Sequence, residues 1–214
     1  MDSNKFKLSF LLLAAALPIS LATWVFNARE IDGIRSTTNN GILITPVMDI
    51  TEFDLRDTNG AEIFQRFEDM VAGIEIDDYE PRPWLLIYLG TKNCDNNCQE
   101  RLHFLRQLHI RLSGESDRVE RYYVNAGQNR ESIDVSTQTL FANEFPDLKL
   151  AYSDASALLI KLARTTADGI DPIALHYIYV VDPIGNVMLY FTPENTTEEI
   201  FKDLDKLLDQ SSLG

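Results

Sequence analysis

Trp84-Leu85-Leu86-Ile87-Tyr88-Leu89-Gly90-Thr91-Lys92-Asn93-Cys94-Asp95-Asn96-Asn97-Cys98 is the stretch from which the fold can be read. Its first six residues are continuously apolar and of strand length, the pattern of a central strand buried on both faces. Gly90-Thr91-Lys92-Asn93 then leads to Cys94. Beyond it, Leu102, Leu105, Leu108 and Leu112 recur at helical spacing, which predicts a helix to about Leu112 ended by Gly114. The two cysteines of the chain therefore fall together at a strand-to-helix junction.

Outward from this junction the chain reads as alternating strands and helices. Short strands are expected at Gly41-Ile42-Leu43-Ile44 and Phe53-Asp54-Leu55, the second followed by the turn Asp57-Thr58-Asn59-Gly60. Phe64, Phe67 and Val71 predict an amphipathic helix over residues 61–72, and residues 73–83, acidic with two prolines, predict a loop. Strands are expected at residues 119–124 and 148–152, and a helix at residues 155–163. A strong strand over residues 175–181 turns at Asp182-Pro183-Ile184-Gly185 into an antiparallel partner over residues 186–191. Thr196 and Glu199 form a capping box opening a last helix whose Ile200, Leu204, Leu207 and Leu208 face the core. The order β-α-β-α-β-β-α predicts an α/β fold, a mixed sheet with helices on both faces in the thioredoxin arrangement. No internal repeat or low-complexity block interrupts it.

The N-terminus sets the expected compartment. Residues 8–26 are an uncharged run of a length that spans a bilayer core of about 30 Å. Lys5 and Lys7 precede it, while Arg29 and Glu30 nearly balance after it, so the positive-inside rule keeps residues 1–7 in the cytoplasm and exports the rest. Trp24 and Phe26 suit an interfacial aromatic belt. Ser20-Leu21-Ala22 would pass as a signal cleavage site, but the apolar run continues beyond it, which favours a retained anchor. Residues 27–40 read as a polar tether, and residues 41–214 as one domain. In a bacterium this is a single-pass inner-membrane protein with its domain facing the periplasm.

Composition narrows the function. The chain has 214 residues, 19 Lys plus Arg against 33 Asp plus Glu, and a net charge of −14. So acidic a surface, with no basic stripe, repels phosphate backbones and excludes nucleic-acid binding. Two cysteines exclude a disulfide-dense scaffold. No Gly-rich phosphate loop, nucleophile elbow or HExxH appears. Chemistry is left to Cys94 and Cys98. At a helix N-terminus a thiol is acidified, so Cys94, opening the first turn, is expected to be reactive with a pKa below the free value of about 8.5. Residues i and i+4 share a helix face, so two sulfurs there can clamp one soft ion, Cu(I) or Zn(II), or close a disulfide. An inert structural disulfide or two core cysteines is the competing reading. His103 and His109 share no face with both cysteines and read as helix-surface residues. Asp77-Asp78 reads as a solvated loop, and Asn195-Thr196-Thr197 as a capping segment.

Three stretches together resemble the Sco family: Phe53 to Gly60, Leu86 to Cys98, and Tyr179-Val180-Val181-Asp182-Pro183 with Gly185. More narrowly, residues 98–107, 182–188 and the C-terminal residues 202–214 are similar to Sco-like membrane proteins associated with cytochrome oxidase assembly in proteobacteria. The resemblance covers residues 41–214 and the anchor. It implies a membrane-anchored thioredoxin-fold copper protein that helps assemble the CuA site of cytochrome c oxidase, with the oxidase or its assembly factors as partners. It also implies a Cys2His copper site. Two departures stand out. The family's Pro-Asp after the first cysteine is Asp95-Asn96 here, and its histidine, eight positions before the closing turn, falls on Ala174. The histidine present is His176. On a strand, Ala174 and His176 would share a face about 7 Å apart, so His176 stands too far from the family's ligand position to meet the same metal. His176 is therefore a third ligand, beside Cys94 and Cys98, only if the register shifts. Three functions follow: a copper-handling assembly factor, which would not be an enzyme; a thiol–disulfide oxidoreductase using the same pair; or a non-catalytic docking member of the fold.

Overall fold

The apolar run at Trp84 becomes an inner strand of a six-stranded sheet, and all seven of its residues are buried. The computed structural model describes residues 16–20, 23, 39–72, 82–167 and 169–211, and the fold below is that of residues 39–214. The expected anchor lies outside the described residues except for 16–20 and 23, which are helical. The tether to residue 38, Asp77-Asp78 with the rest of 73–81, and the last three residues also lie outside them. Among the described residues no helix is long and apolar enough to cross a membrane.

In chain order the elements are β1 (Ile42–Asp49), α1 (Phe67–Val71), β2 (Trp84–Gly90), α2 (Asn96–Arg111), β3 (Val119–Gly127), α3 (Val135–Glu144), β4 (Leu148–Asp154), α4 (Ala155–Leu162), β5 (Ile178–Val181), β6 (Asn186–Phe191) and α5 (Thr197–Gln210). The strand order is β1-β6-β5-β2-β3-β4. β2, β3 and β4 run parallel, and β5 is antiparallel to β2, with Tyr88 opposite Ile178. β5–β6 and β6–β1 are antiparallel as well. This is the expected mixed thioredoxin-like sheet.

The two-residue period of β2 divides the core. Trp84, Leu86 and Tyr88 face the Leu102, Leu105, Leu108 and Leu112 stripe of α2 and Ile200, Leu204 and Leu208 of α5. Leu85, Ile87 and Leu89 face the other way, onto Phe53, Leu158 and Leu162. The capping box at Thr196 and Glu199 is present, and Gly185 takes φ +95° at the closing turn.

Four expectations need correction. Phe53 lies in a 3-10 turn over Ile50–Phe53, not in a strand. The Asp49 carboxylate accepts from Thr51 N at 2.8 Å, and Asp54 at φ +46° reverses the chain. Strand-like pairing comes later, at Arg56, which bridges to Tyr152 and Glu62. The helix predicted over residues 61–72 is confined to Phe67–Val71. Upstream, the Ala61 carbonyl accepts from Asp57 N and Ile63 N donates to Leu55 O, so that backbone is spent on a loop. The long helix ends at Arg111 before Gly114, with Ser113 at φ +50°. Helix α3 was not expected at all. Only Thr137 and Phe141 of it are buried, too few to give an apolar period, yet it makes the crossover that holds β3 and β4 parallel.

The helix caps give an acid sensitivity. Thr137 N donates to the Asp134 carboxylate at 2.7 Å, and Ala157 N to that of Asp154 at 3.0 Å. These backbone hydrogen bonds hold both carboxyls below their ordinary range. A depressed folded pKa contributes stability that is complete above the unfolded value of about 4 and is lost as pH falls through the folded one. The urea midpoint is expected to drop below that pH, and Asp134→Asn with Asp154→Asn, which still cap, should flatten the drop. An unchanged pH slope in the variant would contradict this.

Candidate functional site at the Cys94–Cys98 turn

Gly90 ends β2, and four residues later the chain reaches Cys94. Asp95 is the N-cap of α2, its carboxylate accepting from Cys98 N at 2.9 Å. Helix α2 begins at Asn96. Cys98 is thus in the first turn, whereas Cys94 sits outside the helix, just before the cap. The expectation that Cys94 opens the helix is corrected accordingly. The helix N-terminus is therefore nearer to Cys98 than to Cys94, and the Asp95 carboxylate is spent on capping it.

Cys94 and Cys98 are joined in a disulfide with their Cα atoms 5.1 Å apart. Both are buried, Cys98 the more so at 2% exposure against 9% for Cys94. Cys94 N donates to Thr137 Oγ1 at 3.0 Å, and Gln99 Nε2 donates to the Cys94 carbonyl at 3.2 Å. Helix α3 therefore holds the loop that carries Cys94. Asp134 N adds a hydrogen bond to the Lys92 carbonyl. Thr137→Val keeps the shape but strands the Cys94 N–H, a buried donor, at about 1–3 kcal/mol. Urea unfolding should show that loss together with faster reduction of the disulfide. Reduction at the unchanged rate would mean that α3 does not restrain the pair.

Behind the pair lies an aromatic wall. Tyr88 packs on Tyr123 with ring centroids 5.4 Å apart, and Tyr123 on Phe141 at 4.8 Å. Burial pushes the pKa of both tyrosines up, which keeps their hydroxyls protonated. The Tyr123 hydroxyl donates to the Thr91 carbonyl at 2.6 Å. Tyr88 meets His176, whose ring stacks parallel to it with centroids 5.8 Å apart, and Tyr88 Oη lies 2.7 Å from His176 Nδ1. Either the phenol donates to Nδ1 and the ring proton is on Nε2, or Nδ1–H donates to the phenol oxygen and leaves the Nε2 lone pair free.

The placement of His176 differs from the strand geometry expected for it. Strand β5 starts only at Ile178, and residues 172–176 form a helical turn. Asp171 caps this turn, accepting from Ile173 N and Ala174 N, and Pro172 follows in the position a helix start favours. His176 ends it at φ +55°. Ala174 and His176 therefore do not share a strand face, and the 7 Å separation along a strand does not apply. The turn carries His176 to Tyr88 and brings Ala174, Leu175 and His176 against the first turns of α2. Between them and Asn97, Glu100, Arg101, Phe104 and Pro193 lies a cleft of about 470 Å³. Among the described residues no three His, Cys, Asp or Glu side chains gather into a group able to hold a metal ion.

His103 is half exposed and pairs with Glu144 at 3.2 Å, and His109 Nε2 lies 2.9 Å from the Val119 carbonyl, so both are helix-flank residues as expected. Asn195 accepts from Thr192 N at 2.9 Å ahead of the capped α5. Arg101, which the sequence reading passed over, borders the same cleft as His176.

Comparison with known proteins bears on fold and family. The family described as "Transmembrane-like, thioredoxin-like, C-terminal domain" matches residues 84–211. Among curated proteins, none matches by sequence. Yeast Sco1 with copper bound is similar at TM-score 0.51 and 16% identity over 80% of this chain and 93% of that one. A second yeast Sco1 structure gives 0.52 and 16%, over 75% and 94%. BsSco, described as a member of the Sco family of cytochrome c oxidase assembly proteins with a disulfide switch, gives 0.50 and 14%, over 81% and 98%. At such identities the likeness establishes a Sco-type fold.

Proposed function

We propose a function on one premise: the chain belongs to the family of transmembrane-like, thioredoxin-like C-terminal domains. Within that family we read it as a Sco-like assembly factor for cytochrome c oxidase. Residues 8–26 anchor it in the bacterial inner membrane, and residues 41–214 face the periplasm, where a dithiol must be kept reduced or occupied by metal. Cys94 and Cys98 do its chemistry. The observation that carries this reading is the placement of the pair as a disulfide across the strand-to-helix junction of a Sco-type fold.

A partner dithiol reduces the disulfide by exchange, giving two thiols here and a disulfide in the partner. Loss of both protons leaves two thiolates on adjoining backbone, a donor set that satisfies Cu(I), which is content with two soft ligands. The residues fit Cu(I) as cargo. They fit Cu(II) poorly, because among the described residues no three His, Cys, Asp or Glu side chains gather into a group able to hold a metal ion. Asp95 caps α2 between the sulfurs, and Thr137 fixes the Cys94 backbone, so the pair keeps its place when the disulfide opens.

The closed disulfide favours a second reading, thiol–disulfide exchange without metal. A client thiolate attacks one sulfur and the other leaves as a thiolate. A second client thiolate then releases the reduced pair, and the client's dithiol ends as a disulfide.

Cells lacking this protein, complemented with wild type or with Cys94→Ser/Cys98→Ser, test the function. Wild type should restore the CuA signal of the oxidase, and the double variant should not. Rescue of the variant by added copper selects the copper reading, and rescue by a thiol oxidant or reductant selects the exchange reading. A full CuA signal with the double variant would overturn both.

A further inference from the structure

The cleft at the first turns of α2 is lined by a cation that forms no direct ion pair with another described residue. Arg101 lies three residues after Cys98, is partly buried, and has its pKa lowered by that burial. Its Nη2 donates to the Thr192 carbonyl at 2.6 Å, and the guanidinium lies over the Phe104 ring, 4.8 Å from its centroid. Its Nε is buried and has no hydrogen-bond partner among the described residues. None of the ion pairs between described residues includes Arg101. This is notable in a chain with 33 acidic residues against 19 basic ones. The carboxylate that acts on it electrostatically, Glu194, is engaged by the Thr192 hydroxyl. A desolvated cation and an unpaired donor both cost free energy that a bound carboxylate would recover.

We propose that this cleft docks the client polypeptide, and that Arg101 receives a carboxylate the client carries beside its own cysteine. The proposal deepens the reading of Cys94 and Cys98 as the working pair and rests on it. A guanidinium takes a carboxylate side-on through Nε and a neighbouring amino group, and Nε, buried and without a partner at rest, is offered when Arg101 turns into the cleft that it lines. Phe104 and Leu175, the latter 41% exposed, give apolar walls for a neighbouring side chain. A volume of about 470 Å³ suits a short peptide segment. Glu100 stands exposed at the rim and selects against a second acidic residue on its side. The fit is thus for a segment with one carboxylate flanked by apolar residues, presented next to Asn97 and Cys98.

The test uses the oxidised full-length protein and a fluorescent octapeptide with a single Glu between apolar residues and Ser in place of cysteine. Without a thiol, the peptide reports docking alone. Glu→Gln in the peptide and Arg101→Gln in the protein should each weaken binding by about tenfold or more, and the two changes together by little more than either, as for one coupled pair. Arg101→Lys should recover part of the loss. If Arg101→Gln does not fold, the Glu and Gln peptides on wild-type protein still decide. Equal binding of the two peptides overturns the proposal, and so does competition by free acetate as strong as by the peptide, which would mark a small-anion site. Docking that survives in a protein shown to lack both copper and redox activity leaves the cleft standing and removes the proposed function alone.

Discussion

Gly90→Ala is expected to destabilise the domain by about 2–3 kcal/mol, the range for overpacking a filled core. A Cβ at this position would stand 2.5 Å from Cζ and 2.7 Å from Cε2 of Tyr123. The tyrosine cannot swing away. It is fully buried, its hydroxyl is bonded to Thr91, and its ring is held between Tyr88 and Phe141. The strand end must move instead, and Cys94 moves with it. For a domain of this size the melting temperature should fall by roughly 5–10 °C. Gly114→Ala, where a Cβ meets nothing within 4 Å, is the control and should change it little. Equal melting of the two variants would show that the glycine before the cysteine turn is not there to admit Tyr123.

Where the side-chain pattern alone decides the backbone, the sequence was enough. The unbroken apolar run of β2, the leucine stripe of α2 and the capping box of α5 each make one element much cheaper than its alternatives, and each appears where expected. Elements fixed by hydrogen bonds to distant backbone were not legible. The loop at Ala61 and Ile63 pairs with Leu55 and Asp57 in spite of a helical apolar spacing, and α3 forms with only two buried residues. The turn at 172–176 left a signal, Asp171 before Pro172, that a strand reading of Leu175 to Val181 overrode. At the site, the cysteines were legible from their spacing. The Tyr88–His176 hydrogen bond and the unpaired Arg101 were not, since each depends on residues some 90 positions apart in sequence.

The second large effect concerns copper. Cys94→Ser/Cys98→Ser is expected to abolish Cu(I) binding by the reduced protein, while His176→Ala should barely change it. Two thiolates complete a set for Cu(I), whereas Cu(II) needs nitrogen or oxygen donors as well. Tyr88 holds His176 at Nδ1, which leaves only Nε2 to reach a metal, and no three-ligand group forms around it among the described residues. Tyr88→Phe removes that hydrogen bond and keeps the ring, and is expected to leave Cu(I) binding unchanged, since the phenol holds the imidazole and not the sulfurs.

Anaerobic titration of the reduced full-length protein with Cu(I), against a chromophoric competitor, tests the central claim most directly. The account predicts that wild type and His176→Ala withdraw a single Cu(I) equally well, and that Cys94→Ser/Cys98→Ser withdraws none. Retention of Cu(I) by the double-serine protein, or its loss on His176→Ala with both cysteines intact, would contradict it.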